Sequence, residues 1–231
     1  MNNKISFSFD DNHKLNTRIA DLFEKFGFKA VFFINIEPMR HHEQMTTEDI
    51  ISLHKRGFEI GAHTWSHRPL PQLLSEQAYY EIFESKKQLE EMIGTQIHGF
   101  CYPKGQYNQH IISMVQRAGY TYARTTGEGN TDACEGSYEI KPTVQIYNSP
   151  LRRYLRIKNC IDNHLPFALS GDWLQSCKNF IEQSEGIIRI FGHSWEIEEQ
   201  GQWEKLEELL CWIKENEYEV INEKDIHLIL S

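Results

Sequence analysis

Two histidines, His63 and His67, lie four residues apart, directly after a short apolar segment that ends at Gly61. Neutral imidazole is a common ligand for borderline metals, and two imidazoles at this spacing can reach one ion from a helical turn or a tight loop. Pro69 follows the pair and prevents a helix from continuing through it. The pair alone is weak support for a metal site, because the chain contains 11 histidines and both could lie on the surface.

Carboxylates and a third histidine follow other apolar segments. Asp10 and Asp11 come directly after the alternating segment 5–9, and His193 comes soon after the apolar segment 186–191. Two histidines and one carboxylate would leave metal positions open for water and substrate, as a catalytic site requires. Either aspartate could bind the metal while its neighbour accepts a proton from the attacking water, and His193 could protonate a leaving amine. These roles together describe the hydrolysis of an amide or ester.

The composition is typical of a globular protein. The 231 residues are 40% hydrophobic and 25% charged, which is sufficient for a sizeable core. The net charge of −9 argues against a general nucleic-acid-binding protein. Five scattered cysteines without CxxC spacing favour free thiols in a reducing compartment over disulfides or a cysteine zinc site. Without an apolar segment near ~20 residues or a signal-peptide region, the sequence predicts a cytoplasmic protein that does not span a membrane.

Strand and helix periods alternate along the chain. Strands are predicted at 5–9, 29–34, 58–60, 97–101, 120–123, 186–191 and 218–221, and helices at 15–26, 46–57, 75–93, 108–118, 172–183 and 202–215, followed by a helical tail. This alternation indicates parallel strands joined by right-handed crossovers, in a doubly wound sheet or a (β/α) barrel. We expect a single domain over residues 1–231. Residues 125–170, rich in glycine and proline, are predicted to form an irregular insertion with one strand (143–146) and one helix (151–161).

Parallel β/α folds carry their chemistry at the carboxyl ends of the strands. A single polar residue at such a place is ordinary, because loops are polar by default. The collection of carboxylates, histidines and aromatic residues on one rim is harder to explain in that way. The residues predicted to share this rim are Asp10, Asp11, His63, His67, Cys101 to Gly105, Arg124 and His193.

Four segments of the chain resemble the motifs of one family. These segments are Ser8–Asn12, His63–His67, Tyr102–Gly105 and the strand that leads to His193. In this order they resemble the motifs of the polysaccharide deacetylases (NodB-like, carbohydrate esterase family four), and the motif-bearing segments span residues 5–196. The resemblance implies a distorted (β/α) barrel of the polysaccharide deacetylase type. It also implies that the protein removes N- or O-linked acyl groups, chiefly acetyl, from sugars.

The resemblance also implies roles for individual residues. Asp10 would be the general base and His193 the general acid. One divalent metal, most often zinc, with cobalt, manganese, nickel or iron(II) as alternatives, would bind to Asp11, His63 and His67. The backbone amide of Lys104 would help to hold the oxyanion. Candidate contacts with the sugar are Tyr102, Trp65, Trp195 and Glu196, although aromatic residues at a rim can also simply pack there.

The chain departs from the family pattern at several positions. Asn12 stands where the first motif has glycine, and asparagine tolerates unusual backbone angles. Cys101 stands where the third motif opens with the arginine that keeps the base ionised. Arg124 or Lys104 could replace that cation from another direction. The Asp-Trp element of the fourth motif is not recognisable after Arg124, and Phe191 replaces a leucine two residues before the acid histidine.

The resulting hypothesis is a metal-dependent hydrolase that removes acetyl from an N-acetylated sugar or polysaccharide precursor in the cytoplasm, without nucleic acid as a partner. One alternative is a non-catalytic carbohydrate-binding protein that retains the metal ligands but has lost the third-motif arginine. A second alternative is an iron(II) oxygenase with two histidines and one carboxylate as ligands. The alternation of strands and helices argues against the second alternative, since such sites usually lie in β-sandwich barrels.

Overall fold

A computed structural model describes residues 3–39, 43–128, 137–151, 154, 157–158 and 172–230. The strands are β1 (Lys4–Asp10), β2 (Val31–Ile34), β3 (Glu59–Ala62), β4 (Gly99–Cys101), β5 (Tyr122–Arg124), β6 (Val144–Gln145), β7 (Ile187–Gly192) and β8 (Glu219–Val220). The α-helices are α1 (Asn16–Phe26), α2 (Thr47–Lys55), α3 (Ser75–Ile93), α4 (Gln109–Arg117), α5 (Trp173–Gln183), α6 (Ser194–Glu199), α7 (Trp203–Glu215) and α8 (Glu223–Leu230). The predicted alternation of strands and helices is confirmed.

All the strands belong to one parallel, curled sheet. Its order is β5-β4-β3-β2-β1-β7-β6, and β8 pairs with the first residues of β1. The sheet is the distorted (β/α) barrel that the resemblance implies, so the doubly wound alternative is excluded. Because the strands are parallel, their carboxyl ends lie on one rim. The register places Asp10 of β1 beside Phe33 of β2, and Cys101 of β4 beside Arg124 of β5.

Residues 137–146 pair first with β5 and then with β7, and they include β6. The amide of Ile140 donates to the carbonyl of Ala123 (3.0 Å), and the amide of Thr125 donates to the carbonyl of Ile140 (2.8 Å). A few residues later, the amide of Thr143 donates to Arg189 of β7 (2.7 Å). This segment lay within the predicted insertion, and its described part is an integral piece of the sheet. The predicted helix 151–161 falls mostly outside the described residues.

Capping residues set the ends of several helices. Thr46 and Asp49 form a reciprocal capping box at the start of α2, as the sequence predicts. Asp172 and Asn108 accept backbone hydrogen bonds at the starts of α5 and α4. Helix α3 ends at Gly94, whose φ of 72° is the left-handed conformation that glycine adopts without cost. These local signals explain why the helix ends were predictable.

The core lies between the sheet and the surrounding helices. β2 is buried at each of its four residues, as its continuous apolar sequence predicts. The rings of Phe7 and Phe9 on β1 both meet the edge of Phe23 on α1, with centroids 5.0 and 5.6 Å apart. This packing fixes β1, and therefore the aspartates at its end. Among the described residues, none of the helices combines the length and apolar character needed to cross a bilayer.

Candidate metal centre and active site

Asp11, His63 and His67 converge at the carboxyl ends of β1 and β3. Their candidate ligand atoms all lie within 4.8 Å of one another. Nε2 of His67 is 3.5 Å from Oδ1 of Asp11, and Nε2 of His63 is 3.8 Å from the same oxygen. Nδ1 of His63 is 2.8 Å from the carbonyl oxygen of Cys101. A carbonyl can only accept, so Nδ1 carries a hydrogen and donates it, and Nε2 is the ring nitrogen that faces Asp11.

The two oxygens of Asp11 have different surroundings. Oδ2 accepts a hydrogen bond from the indole nitrogen of Trp195 (3.0 Å). Oδ1 is buried and has no hydrogen-bond partner, although a buried unpaired carboxylate oxygen is costly. Burial and the neighbouring His63 lower the pKa of His67 to about 4, so its imidazole is neutral at pH 7. Two imidazole Nε2 atoms and one carboxylate oxygen that lacks a donor fit a divalent cation such as zinc.

A second group of candidate ligands, formed by Asp10, His63 and Cys101, lies next to the first. It fits a metal poorly. Burial raises the pKa of the Cys101 thiol well above its usual value, whereas a cysteine ligand must be a thiolate. The thiol instead faces Oδ2 of Asp10 at 3.6 Å as a weak donor. Asp10 itself is paired with Arg124, so the group that contains Asp11 is the better candidate for a metal site.

Backbone strain concentrates around these residues. Among the described residues, five other than glycine have a left-handed φ, and four of them are Asp11 (73°), Thr64 (67°), His67 (57°) and Lys104 (55°). This conformation costs free energy in residues with a Cβ, and it is found mainly at functional sites. The strained residue of the first motif is therefore Asp11. Asn12, which stands where the family has glycine, does not need left-handed angles.

Arg124 holds the carboxylate of Asp10. Its Nη2 donates to Oδ1 of Asp10 and lies 3.2 Å from the sulfur of Cys101. Burial alone would raise the pKa of Asp10, but the charges of Arg124, His63 and His193, together with the hydrogen bond from Arg124, outweigh burial and lower the pKa to about 2. Asp10 is therefore ionised at neutral pH. Its Oδ2 accepts from the weak thiol donor of Cys101 and, among the described residues, from no stronger donor, which leaves that oxygen able to accept a proton.

The guanidinium of Arg124 is enclosed between two aromatic rings. The ring of Phe191 lies 4.7 Å away and the ring of Phe33 lies 5.2 Å away. The side chain is 1% exposed, and its Nη1 donates to the carbonyl of Thr125 (2.8 Å). Two departures from the family pattern, Cys101 and Phe191, thus contact the same cation. The small thiol leaves room for Arg124, and the phenyl ring covers it.

His193 is held by Glu196 from the next turn of the chain. Nδ1 of His193 is 2.6 Å from Oε2 of Glu196, which also accepts from the side-chain amide of Gln145 (3.1 Å). Burial would lower the pKa of His193. The hydrogen bond and charge of Glu196, together with the charges of Asp11 and Asp10, outweigh burial and raise this pKa to about 9. The imidazole is therefore protonated at pH 7. Its Nε2 faces Oδ2 of Asp11 at 3.9 Å, which places the proton donor beside the metal ligands.

Two of the predicted substrate contacts have other partners in the structure. Glu196, which we expected to face the sugar, has its carboxylate on His193 and Gln145. Tyr102 is fully buried, stacks on Tyr107 and donates its hydroxyl to the backbone, so its side chain does not fit the predicted contact with substrate. The cause is packing: Tyr102 and Pro103 of the third motif turn inward after β4, whereas Lys104 is exposed.

The remaining predicted contacts stay near the rim. Trp195 is partly exposed, and its ring centroid lies 5.4 Å from that of His193. Trp65 lies between the two histidine ligands, is partly exposed and donates to Glu37 (3.0 Å). Lys104 occupies the strained turn Pro103–Gly105 directly after Tyr102. The role of its amide as an oxyanion donor stays a prediction.

Several residues that support the site were not predicted from the sequence. Asn35, fully buried, accepts from the amide of Asn12 (2.9 Å), and Asn16 donates to the carbonyl of Asp11 (2.8 Å). Glu81 of α3 accepts from the amide of Ser66 (2.7 Å) between the histidine ligands. The sequence shows an asparagine or a glutamate at each of these positions, but no local pattern links the residue to its hydrogen-bond partner.

Comparison with known proteins identifies the family of the chain. A family model for polysaccharide deacetylases matches residues 2–123, more than half of the chain. The Bacillus subtilis (strain 168) protein YxkH is 28% identical over 137 residues, which are 59% of this chain and 49% of YxkH. The peptidoglycan-N-acetylmuramic acid deacetylase PdaC of the same strain is 28% identical over 114 residues, which are 48% of this chain and 24% of PdaC. The chain thus spans half or less of these relatives.

Solved structures share the fold. A family 4 acetyl xylan esterase from Clostridium thermocellum, solved in complex with a cobalt ion, superposes with a TM-score of 0.65. The match covers 98% of this chain and 91% of the esterase at 17% sequence identity. The likeness extends beyond residue 123 and includes the late strand that leads to His193.

Proposed function

Because the chain belongs to the polysaccharide deacetylase family, we propose that it is a metal-dependent hydrolase that removes acetyl from an N-acetylated sugar of a glycan or glycan precursor. The observation that carries the proposal is the buried Oδ1 of Asp11, which has no hydrogen-bond donor and faces Nε2 of His63 and Nε2 of His67. The ionised carboxylate of Asp10 and the protonated imidazole of His193 both lie close to this group.

Asp11, His63 and His67 would hold the divalent ion. When bound, such an ion polarises the acyl oxygen and lowers the pKa of water at the site. Trp195 keeps Oδ2 of Asp11 occupied and so directs Oδ1 towards the imidazoles. The carbonyl of Cys101 fixes the ring orientation of His63, which is the usual arrangement behind a metal-binding histidine.

Asp10 would accept the proton of the attacking water. Arg124 keeps this carboxylate ionised and fixes its orientation through Oδ1, which leaves Oδ2 for the water. In the family pattern an arginine at the position of Cys101 has this task. Here we infer that the cation has moved one strand along the sheet, from β4 to β5, because Cys101 and Arg124 are paired neighbours in the register.

His193 would deliver a proton to the nitrogen of the leaving amine. Glu196 keeps the imidazole protonated and holds its Nδ1, so that Nε2 faces the reacting group. The water proton taken by Asp10 and the proton given by His193 balance in one turnover: acetate and a free sugar amine leave, and solvent restores both groups. Glu196 would thus serve in place of the fourth-motif aspartate.

A non-catalytic carbohydrate-binding protein is the alternative raised by the loss of the third-motif arginine. The ion pair between Arg124 and Asp10 favours the catalytic interpretation over the non-catalytic one. A protein that only binds carbohydrate does not need an ionised base beside the candidate metal ligands. Such buried pairs are weak devices for stability alone.

The proposal is tested by metal analysis of the purified protein together with acetate release from N-acetylhexosamine oligomers. We expect about one divalent metal per chain and chelator-sensitive acetate release. His63→Ala should lose both. Retention of metal and activity by this variant would refute the proposal, whereas metal binding without acetate release from any N-acetylated glycan would favour the non-catalytic alternative.

A further inference from the structure

Large apolar side chains are exposed in the first half of α3. Tyr80 is 52% exposed and Phe83 is 40% exposed, while Leu74, directly before the helix, is 73% exposed. Among the described residues, three of the five exposed large apolar side chains belong to this part of the chain. Exposed apolar side chains that collect in one place, with polar residues around them, are typical of a protein interaction surface.

Four residues of α3 form one stripe on its outer face, which we call the α3 stripe: Glu76, Tyr80, Phe83 and Lys87. All four are exposed. An α-helix turns by about 100° and rises about 1.5 Å per residue, so these positions fall within an arc of about 60° and extend over about 16 Å. Their spacing of four, three and four residues is the spacing found in helices that pair along one seam.

The two rings of the stripe are complementary to each other in a symmetric pair. The midpoint of the stripe lies between Glu81 and Ile82, which are both buried on the opposite side of the helix. In a two-fold symmetric dimer each contact occurs twice, with the roles of the copies exchanged. If two α3 helices pair in antiparallel orientation about this midpoint, Tyr80 of each copy lies opposite Phe83 of the other. Aromatic pairs of this kind stabilise a contact beyond the apolar area that they bury.

The charges at the ends of the stripe fit the same pairing. Glu76 and Lys87 are equally far from the midpoint, so antiparallel helices place the carboxylate of one copy opposite the ammonium of the other. Lys87 is 4.0 Å from Glu91 of its own helix, and both side chains are more than half exposed, so this pair holds the lysine only weakly. Parallel helices would instead place each charge opposite the same charge. The pattern of signs therefore selects an antiparallel second copy.

The stripe has a firm support. The ring of Tyr80 packs on Trp65, with centroids 5.9 Å apart, and the ring of Phe83 stacks on Tyr79, with centroids 5.7 Å apart. The guanidinium of Arg117, at the end of α4, lies 5.0 Å from the centroid of Tyr79. Side chains that are already held in place lose little conformational entropy when a partner covers them.

We propose that the α3 stripe is the docking surface for a second copy of this chain, through symmetric antiparallel pairing of the two α3 helices. A membrane surface fits less well, because helices that lie on a bilayer carry mainly lysine and arginine beside their apolar residues. The stripe carries one charge of each sign, on a chain with a net charge of −9. A contact through one helix per copy is small, so we expect a weak dimer with a Kd of about 1–100 µM.

Sedimentation velocity of the whole protein, from about 2 to about 500 µM, measures this association. We expect the sedimenting mass to rise from monomer to dimer over that range. Phe83→Glu should raise the dimer Kd by about tenfold or more, because it replaces a central ring with a carboxylate that the pairing would bury. Tyr154→Glu is the matched control, since Tyr154 is 61% exposed but lies outside α3, and it should keep the original Kd.

Charge reversal tests the orientation of the helices without changing the rings. Glu76→Lys or Lys87→Glu alone places like charges opposite each other and should raise the Kd by about threefold or more. Both changes in one chain should restore the original Kd. An equal mixture of the two single variants should form a mixed dimer with that same Kd, because every opposed pair is then of opposite sign.

A protein that stays monomeric at every concentration would refute the inference. So would a dimer that Phe83→Glu and Tyr154→Glu affect equally, or a double charge reversal that stays as weak as the single ones. Thermal unfolding identifies variants that fail to fold, and the charge reversals decide the question if Phe83→Glu is one of them. The measurement needs no substrate, so its outcome is independent of the proposed function.

Discussion

At the scale of single residues, the central feature is the exchange of an arginine between neighbouring strands. Asp10 and Arg124 are 114 positions apart in sequence and share an ion pair in the structure. The sequence permitted two replacements for the missing cation, Arg124 and Lys104, and no local pattern could choose between them. The choice follows from the parallel register of β4 and β5, which sets Arg124 beside Cys101.

We therefore predict that Arg124→Ala lowers kcat by about 100-fold or more, because the base loses the group that holds it ionised and aligned. The double variant Cys101→Arg with Arg124→Ala should recover part of the activity by restoring a cation from β4. Acetate release is the measurement, and thermal unfolding and metal content identify variants that fail to fold. Equal activity of the two variants would contradict the exchange.

Glu196 gives a second prediction for a single residue. In Glu196→Gln the charge that raises the pKa of His193 is gone, so that pKa should fall. Activity that needs protonated His193 is lost as pH rises through this pKa. The alkaline limb of kcat should therefore move to lower pH, and kcat at pH 8 should fall by about tenfold or more.

The matched control is Glu199→Gln, an exposed carboxylate on the same short helix, which should leave the pH profile unchanged. An alkaline limb that stays in place in Glu196→Gln would show that His193 does not act through Glu196.

At the scale of elements, the helices were predictable where caps and periodicity agree. Helix α3 begins and ends where the sequence predicts, at Ser75 and Ile93. Helix α6 (Ser194–Glu199) was missed, because six residues are too few to show a helical period. It is this short helix that brings Glu196 back to His193. Because this helix was not predicted, the contact between Glu196 and His193 was not expected from the sequence.

Helix α3 also supports the metal ligands through one buried carboxylate. Glu81 is 5% exposed and holds Ser66 between His63 and His67. Glu81→Ala should leave the amide and hydroxyl of Ser66 without their acceptor and so loosen the loop between His63 and His67. Groups that support metal ligands typically contribute about 10–100-fold to metal affinity. We expect zinc affinity, measured by competition with a chelating dye, to fall by about that factor.

Glu84→Ala, one turn further along α3, should keep the zinc affinity of the original chain. If Glu81→Ala also keeps the zinc affinity of the original chain, Glu81 does not support the metal ligands.

At the scale of the whole molecule, a buried polar network closes the end of the barrel opposite the site. Glu223 at the start of α8 accepts from Arg189 of β7 (2.7 Å) and from Ser6 of β1 (2.6 Å). Nearby, Tyr122 donates to Glu59 of β3 (2.8 Å). This arrangement was not predictable, because each partner comes from a different strand or helix and the polar residues interrupt otherwise apolar segments.

Gly99 of β4 is required by the same network. A Cβ on this residue would lie 2.2 Å from the hydroxyl of Tyr122, so any side chain would displace the ring from Glu59. The glycine therefore belongs to the barrel interior and not to a turn.

The network makes stability depend on pH. Burial raises the pKa of Glu59 from 4.5 to about 7, so the folded protein binds this proton more tightly than the unfolded chain. Stability should fall as pH rises from about 4.5 to about 7, by on the order of 2–3 kcal/mol from this group. Glu59→Gln should remove most of this dependence in the free energy of unfolding, measured by denaturant between pH 5 and pH 8.

Glu48→Gln, a change at an exposed carboxylate, should leave the pH dependence as in the original chain. If the free energy of unfolding falls equally between pH 5 and pH 8 in Glu59→Gln and in the original chain, the titrating group is not Glu59.

The most direct test of the whole account is the metal content of an Asp11→Asn variant beside Asp10→Asn. We expect the original chain and Asp10→Asn each to bind about one zinc ion, and Asp11→Asn to bind zinc about tenfold more weakly or worse. Both variants should release little or no acetate, one for lack of the ion and the other for lack of the base. Full zinc binding and acetate release by Asp11→Asn would contradict the account.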